Sequence, residues 1–185
     1  EAVPKGEGGM IAVLGSELEI LEDIINKKKN EFKCFIANDN SNGQIVLSGT
    51  MDNIEKLSIY LNSINIKNIK LSVSAPFHCE LMKTATELMR NELAKIVFKD
   101  FQTALISNVT AKVINDSQLI RDLLVRQIES RVRWRESINY MIKNGVNNFI
   151  EIGPGKVLSG LVKRIDKKVK VSAINNEEDI NKIEI

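Results

Sequence analysis

The 185-residue sequence holds a single histidine, His78, and only two cysteines, Cys34 and Cys79. Two cysteines exclude a disulfide framework and a cysteine-built zinc site, and they fit a reducing, cytoplasmic setting. With one histidine, any chemistry that needs an imidazole must use it. No run approaches the ~18 apolar residues of a membrane span, and the start has no secretory-signal pattern. No membrane partner is expected. The net charge of +2 is too small for a nucleic-acid-binding domain, so none is expected there either. No Gly-x-Ser-x-Gly elbow, His-Glu-x-x-His or Cys-x-x-Cys occurs, so no self-contained hydrolase, zinc or dithiol site is written here. Arginine is missing from residues 1–72, which carry −2, while residues 73–185 hold all seven arginines and carry +4. That asymmetry suits an acidic partner or anionic ligand, and equally an ordinary solvated surface. Hydrophobic residues make up 43%, enough for a packed core and against disorder. The first residue is Glu1, so processing or excision from a longer polypeptide is an expectation.

The first part reads as a compact alternation. An apolar run at 10–14 is strand-like. Ser16 with Glu19 resembles a capping box, and Leu18, Leu21, Ile24 and Ile25 form one helical stripe. Residues 32–37 read as a second strand, 38–43 as a turn cluster and 44–48 as a third strand. A helix over 52–64 and a strand over 66–73 follow. The order β-α-β-β-α-β is that of a ferredoxin-like split unit, assigned to residues 1–74. Residues 75–185 change character. A long helix is expected at about 79–97, burying Leu81, Ala85, Leu88, Met89, Leu93 and Ile96. A strand at 104–109, helices at 116–128 and 135–144, a strand at 148–152, a helix at 157–165, a strand at 169–174 and a short polar helix complete the chain. Strands alternating with helices imply a parallel sheet. Three strands make a thin one, so this half is expected to complete a sheet begun elsewhere in a larger α/β domain.

His78 is the first candidate for chemistry. At a helix N-terminus the positive dipole end favours neutral imidazole, which suits a general base, although a lone histidine is more often structural. Cys79 is adjacent, but neighbours on a helix point about 100° apart, so a Cys-His dyad is awkward and an idle buried thiol is preferred. Gly153-Pro154-Gly155-Lys156-Val157 lacks the spacer and the Ser or Thr of a phosphate loop, and reads as a strand-to-helix turn. The Arg131-Val132-Arg133-Trp134-Arg135 run is read as a buried Trp flanked by snorkelling arginines rather than a base-stacking platform.

The stretch Ser74-Ala75-Pro76-Phe77-His78-Cys79-Glu80-Leu81-Met82 resembles the malonyl-CoA:acyl carrier protein transacylases of bacterial-type fatty acid synthesis. So do EAVPKGEGGM at 1–10, NGQIVLSG at 42–49, VRQ at 125–127 with VRW at 132–134, and EIGPGKVLSGL at 151–161. The likeness covers essentially the whole chain and about the C-terminal three-fifths of the family's length. It implies the C-terminal part of an α/β-hydrolase-like parallel-sheet acyltransferase domain, with the ferredoxin-like unit as its small subdomain. It also implies ping-pong transfer of malonyl from malonyl-CoA, through an acyl-serine, to the phosphopantetheine thiol of acyl carrier protein. By the resemblance, His78 matches the catalytic base and Gln127 the residue whose main-chain carbonyl orients it. Asn42 and Gln44 fall in the region lining the CoA and pantetheine cleft, and Lys67 in a stretch offering basic contacts to CoA phosphates or the acidic carrier. Malonyl-CoA and phosphopantetheine enter as substrates, and no cofactor or metal is implied. The nucleophilic serine, the carboxylate-binding arginine and the oxyanion glutamine have no counterpart here. A missing N-terminal part of the same enzyme is therefore an expected partner, and the chain alone is expected to be inactive. Arg131 stands where the family usually has proline, a departure expected near the surface. Two other readings stay open: a non-catalytic carrier-binding remnant or half of a split acyltransferase, and a ferredoxin-like regulatory domain with an appendage.

Overall fold

The computed structural model describes residues 3–73 and 75–182. Strand β1 (Gly8–Leu14), helix α1 (Leu18–Lys27), strands β2 (Cys34–Ser41) and β3 (Gln44–Thr50), helix α2 (Met51–Ser63) and strand β4 (Asn68–Lys70) follow one another in that order. The strands form one antiparallel sheet in the order β2-β3-β1-β4. Ile11 and Val13 of β1, Ile45 and Leu47 of β3 and Cys34 of β2 face Leu18, Leu21, Ile54, Leu57 and Leu61 of the two helices. Met10, Ala12, Ala37 and Val46 form a second apolar face on the other side. Because both faces are covered, β1 is buried almost without interruption instead of alternating.

Two expectations fail here for tertiary reasons. Asn38, Asp39, Asn40 and Ser41 are strand, not turn. Pairing with β3, an isolated parallel bridge to Val132 and an ion pair on Asp39 outweigh their turn preference, and only Asn42 and Gly43 remain as the turn. Helix α1 begins after Glu17, with no side-chain cap from Ser16.

The second half differs more. In place of one long helix there is a short 3-10 turn (Glu80–Met82) and then α3 (Lys83–Leu93). Of the face expected to be buried, Leu88, Met89 and Ile96 are exposed; Leu93 is buried, with Met82 and Thr86 beside it. Strands β5 (Leu105–Ile106) and β6 (Val113–Ile114) form a small antiparallel pair, so the first expected parallel strand turns back on itself. Helices α4 (Ser117–Arg126) and α5 (Trp134–Lys143) lead to β7 (Asn148–Ile152), α6 (Val157–Ile165), β8 (Lys170–Ile174) and α7 (Glu177–Ile180). Among the described residues the parallel sheet is β7 and β8 alone, not three strands. Ile138, Val162 and Val169 are buried in its core, with Trp134 and Phe149 packed against them.

Candidate functional site

His78 sits in the connection between β4 and the 3-10 turn, with φ +61, the left-handed region. A non-glycine residue there carries strain that the surroundings must impose. Pro76 is fully buried against β1, and a Cβ on Gly8 would stand 2.2 Å from its Cδ, so only glycine admits the proline ring. On the other side, the buried Cys79 thiol donates to the Pro76 carbonyl at 3.1 Å. Glu80 pairs with Lys33 at the start of β2. The imidazole is thus held from before and after in the chain.

Its Nδ1 lies 2.9 Å from the main-chain oxygen of Gln127. A carbonyl only accepts, so the proton is on Nδ1 and the lone pair is on Nε2. Gln127 is the C-cap of α4, where a terminal carbonyl has no intrahelical partner and is free to accept. The helix end bonded to the ring is not the one the sequence suggested. A 3-10 turn, not the expected first turn of an α-helix, follows His78. The ring Nδ1 faces the C-terminal carbonyl end of α4 instead.

The ring is half-buried and lines a surface cavity of about 470 Å³ with Cys34, Phe35 and Ile36 of β2, Glu22 of α1, and Glu129 and Arg131. Cys79 is no partner for the ring, since its thiol is spent on Pro76. Burial, with the neighbouring Cys79, pushes the Cys34 thiol up to about 12, and burial raises Cys79 as well.

The structure brings His78 and Gln127 together and leaves Asn42, Gln44 and Lys67 elsewhere. Asn42 is the exposed tip of the β2–β3 turn. Gln44 accepts a hydrogen bond from Arg164 of α6. Lys67 is exposed just before β4, and its carbonyl accepts from Leu14 at 2.9 Å. All three lie at the end of the sheet where β1 finishes. His78 lies toward the end where β1 begins, roughly 20 Å away at about 3.3 Å per strand residue.

Sequence reasoning missed the ionic framework around the site. Arg131 donates to Glu22 of α1 at 2.7 Å, so the departure from the family pattern, near the surface as expected, also bridges the two halves. Arg133 takes Glu136, and Arg135 takes the buried Asp39. The flanking arginines of Trp134 are therefore paired rather than snorkelling. Gly153 to Lys156 do form a strand-to-helix turn. The Glu151 carboxylate accepts from the Leu158 and Ser159 amides of α6, so an internal anion already occupies the first turn of that helix.

A model of the acyl transferase domain matches residues 3–181. The malonyl CoA-acyl carrier protein transacylase of Bacillus subtilis is 45% identical over 182 residues, covering 97% of this chain and 57% of that protein. The crystal structure of the malonyl CoA-acyl carrier protein transacylase of Clostridium perfringens superposes with a TM-score of 0.93 at 40% identity, over 98% of this chain and 58% of that one. A malonyl-transacylase solved in complex with its type II PKS acyl-carrier protein superposes at 0.91 and 33% identity, over 97% of this chain and 59% of that one. The chain spans a little under three-fifths of the length of these relatives.

Proposed function

The chain belongs to the acyl transferase domain family, and from that membership and the geometry of His78 we propose that it supplies the general base of a malonyl-CoA:acyl carrier protein transacylase. The observation that carries this reading is the 2.9 Å bond from Nδ1 to the Gln127 carbonyl, which leaves Nε2 as the proton acceptor on a strained, cavity-lining residue. No serine elbow is present in the 185 residues, so the nucleophile comes from a segment outside them.

In the first half-reaction Nε2 takes the serine hydroxyl proton as the oxygen bonds to the malonyl thioester carbon. The tetrahedral intermediate collapses, the carbon–sulfur bond breaks, and the imidazolium returns the proton to the departing CoA thiolate. In the second, Nε2 takes the proton of the phosphopantetheine thiol as that sulfur attacks the malonyl-serine ester, and the serine oxygen leaves with the proton. The Gln127 carbonyl, in the place an aspartate holds in a triad, fixes the tautomer without adding a full charge. Residues 1–74 serve as a ferredoxin-like small subdomain and 75–185 as the C-terminal part of the large acyltransferase subdomain. Asn42, Gln44 and Lys67 hold the distant end of the CoA or phosphopantetheine arm. An arm extended along the sheet accounts for their separation from His78, with Lys67 meeting phosphate or an acidic carrier surface.

The test joins this chain to the matching N-terminal segment of the enzyme and measures malonyl transfer from malonyl-CoA to holo-acyl carrier protein. The chain by itself should be inactive. His78→Asn in the joined protein should lower transfer by at least 10²–10⁴-fold, the usual worth of a positioned base; full transfer by that variant overturns the reading.

A further inference from the structure

The Gln127 carbonyl is only as well placed as the strap that follows it. Residues 128–130 turn tightly back on the end of α4, through Ile128 to Val125 and Ser130 to Arg126. Val132 is then fastened to the outer edge of β2: its amide donates to Ala37 at 2.8 Å, and its carbonyl accepts from Asp39 at 2.9 Å. Asp39 is the residue that makes this edge unusual. Its side chain is 1% exposed, and Nε of Arg135, in the first turn of α5, donates to both carboxylate oxygens at 2.9 and 3.0 Å. One residue thus grips the strap by its main chain and the following helix by its side chain. His78, by contrast, hangs on β1 through Gly8 and Pro76. The two members of the His78–Gln127 bond therefore reach the same sheet by different routes, and their spacing depends on both.

A buried ion pair is a poor way to gain stability, because an apolar pair of similar volume usually serves as well or better. Its geometric specificity is what such a replacement cannot supply. We propose that the Asp39–Arg135 pair is a positioning device for the base. By fixing Arg135, three residues beyond Val132, against the buried carboxylate of β2, it holds the strap on that strand and sets the Gln127 carbonyl where it selects the Nδ1–H tautomer of His78. Neither residue touches the reacting atoms. The proposal rests on His78 acting as the base, but it is tested on the imidazole itself, independently of transfer.

Because His78 is the only histidine in the chain, its ring nitrogens give a single set of signals in nitrogen-15 spectra, and two-bond couplings report the tautomer directly. The wild-type chain is expected to show the Nδ1–H form. Arg135→Lys keeps the charge but loses the directed Nε contact, and Asp39→Asn keeps the shape but loses the charge. In each, the ratio of Nδ1–H to Nε2–H should fall by up to about tenfold, the worth of one net hydrogen bond. The double variant Asp39→Leu with Arg135→Met refills the volume without ions and guards against a single variant failing to fold. A folded double variant with the wild-type tautomer ratio overturns the proposal, since a merely structural clasp would leave the ring unchanged. A shifted ratio with the remaining amide spectrum preserved supports it. Undiminished transfer by His78→Asn would instead strike at the base assignment and leave this result standing.

Discussion

Replacing His78 by glycine separates what the residue does for the fold from what it does for the reaction. Three terms decide the stability of the variant. The bond to the Gln127 carbonyl is lost, about 0.5–1.5 kcal/mol. The left-handed backbone at φ +61 is relieved, a gain of about 1–2 kcal/mol because glycine adopts it freely. Glycine also loosens the unfolded chain, which costs about 0.5–1 kcal/mol. The ring is half-buried, so lost burial adds little. The sum lies between a loss of about 1.5 and a gain of about 1 kcal/mol, while the chain loses its only imidazole. Urea unfolding of the chain should therefore give a midpoint close to wild type, with the same slope. Malonyl transfer by the variant joined to its N-terminal segment should drop by at least 10²-fold. A loss of 3 kcal/mol or more would show that the ring is a packing residue, and the reasoning from strain to function would fail.

Four further outcomes follow from the same geometry. Gly8→Ala should destabilise the chain by about 1–3 kcal/mol, as overpacking does, because its Cβ would lie 2.2 Å from Pro76 Cδ; a denaturation midpoint equal to wild type would contradict that contact. The Cys34 thiol, held at about 12 against an ordinary 9.0, should resist iodoacetamide at pH 8 in the folded chain and react once guanidinium unfolds it, as read by mass. Since its proton is held more tightly folded than unfolded, that contribution to stability is intact below pH 9 and declines between about 9 and 12, which urea midpoints across that range should record. Lys67→Glu in the joined enzyme should raise KM for malonyl-CoA or carrier protein, increasingly so at low salt, with kcat little changed; an equal fall in kcat would place Lys67 nearer the chemistry than the sheet puts it.

Much of the fold is written plainly where punctuation and period agree. The strand at Asn148–Ile152 and the helix at Val157–Ile165 fall at their expected bounds, since glycines and a proline separate an apolar run from a helical stripe. The helix at Ser117–Arg126 starts at Asp116, whose carboxylate accepts from Gln118 at 2.8 Å. The alternation of strands and helices in the first half likewise suffices for the four-stranded sheet. What stays hidden depends on distant partners. Asp39 looks like a turn residue until Arg135, 96 positions on, neutralises it inside the sheet. The left-handed turn at His78 follows a proline wedged against Gly8, a contact that no local pattern announces. At the site, the single histidine attracts notice by scarcity. Gln127 cannot be found that way, because a main-chain carbonyl looks the same under any side chain, and only the family likeness pointed there.

The two parallel strands at the end of the chain have a consequence for how the molecule behaves in solution. Among the described residues, β7 and β8 pair only with each other, and Ile150, Ile152, Val157 and Leu158 beside them are open to solvent, Ile152 at 79%. A bare ribbon edge with an oily flank is a docking template that another polypeptide can complete. Crowding such molecules together should therefore promote self-association, and a cognate strand laid along that edge should act as its own solubiliser.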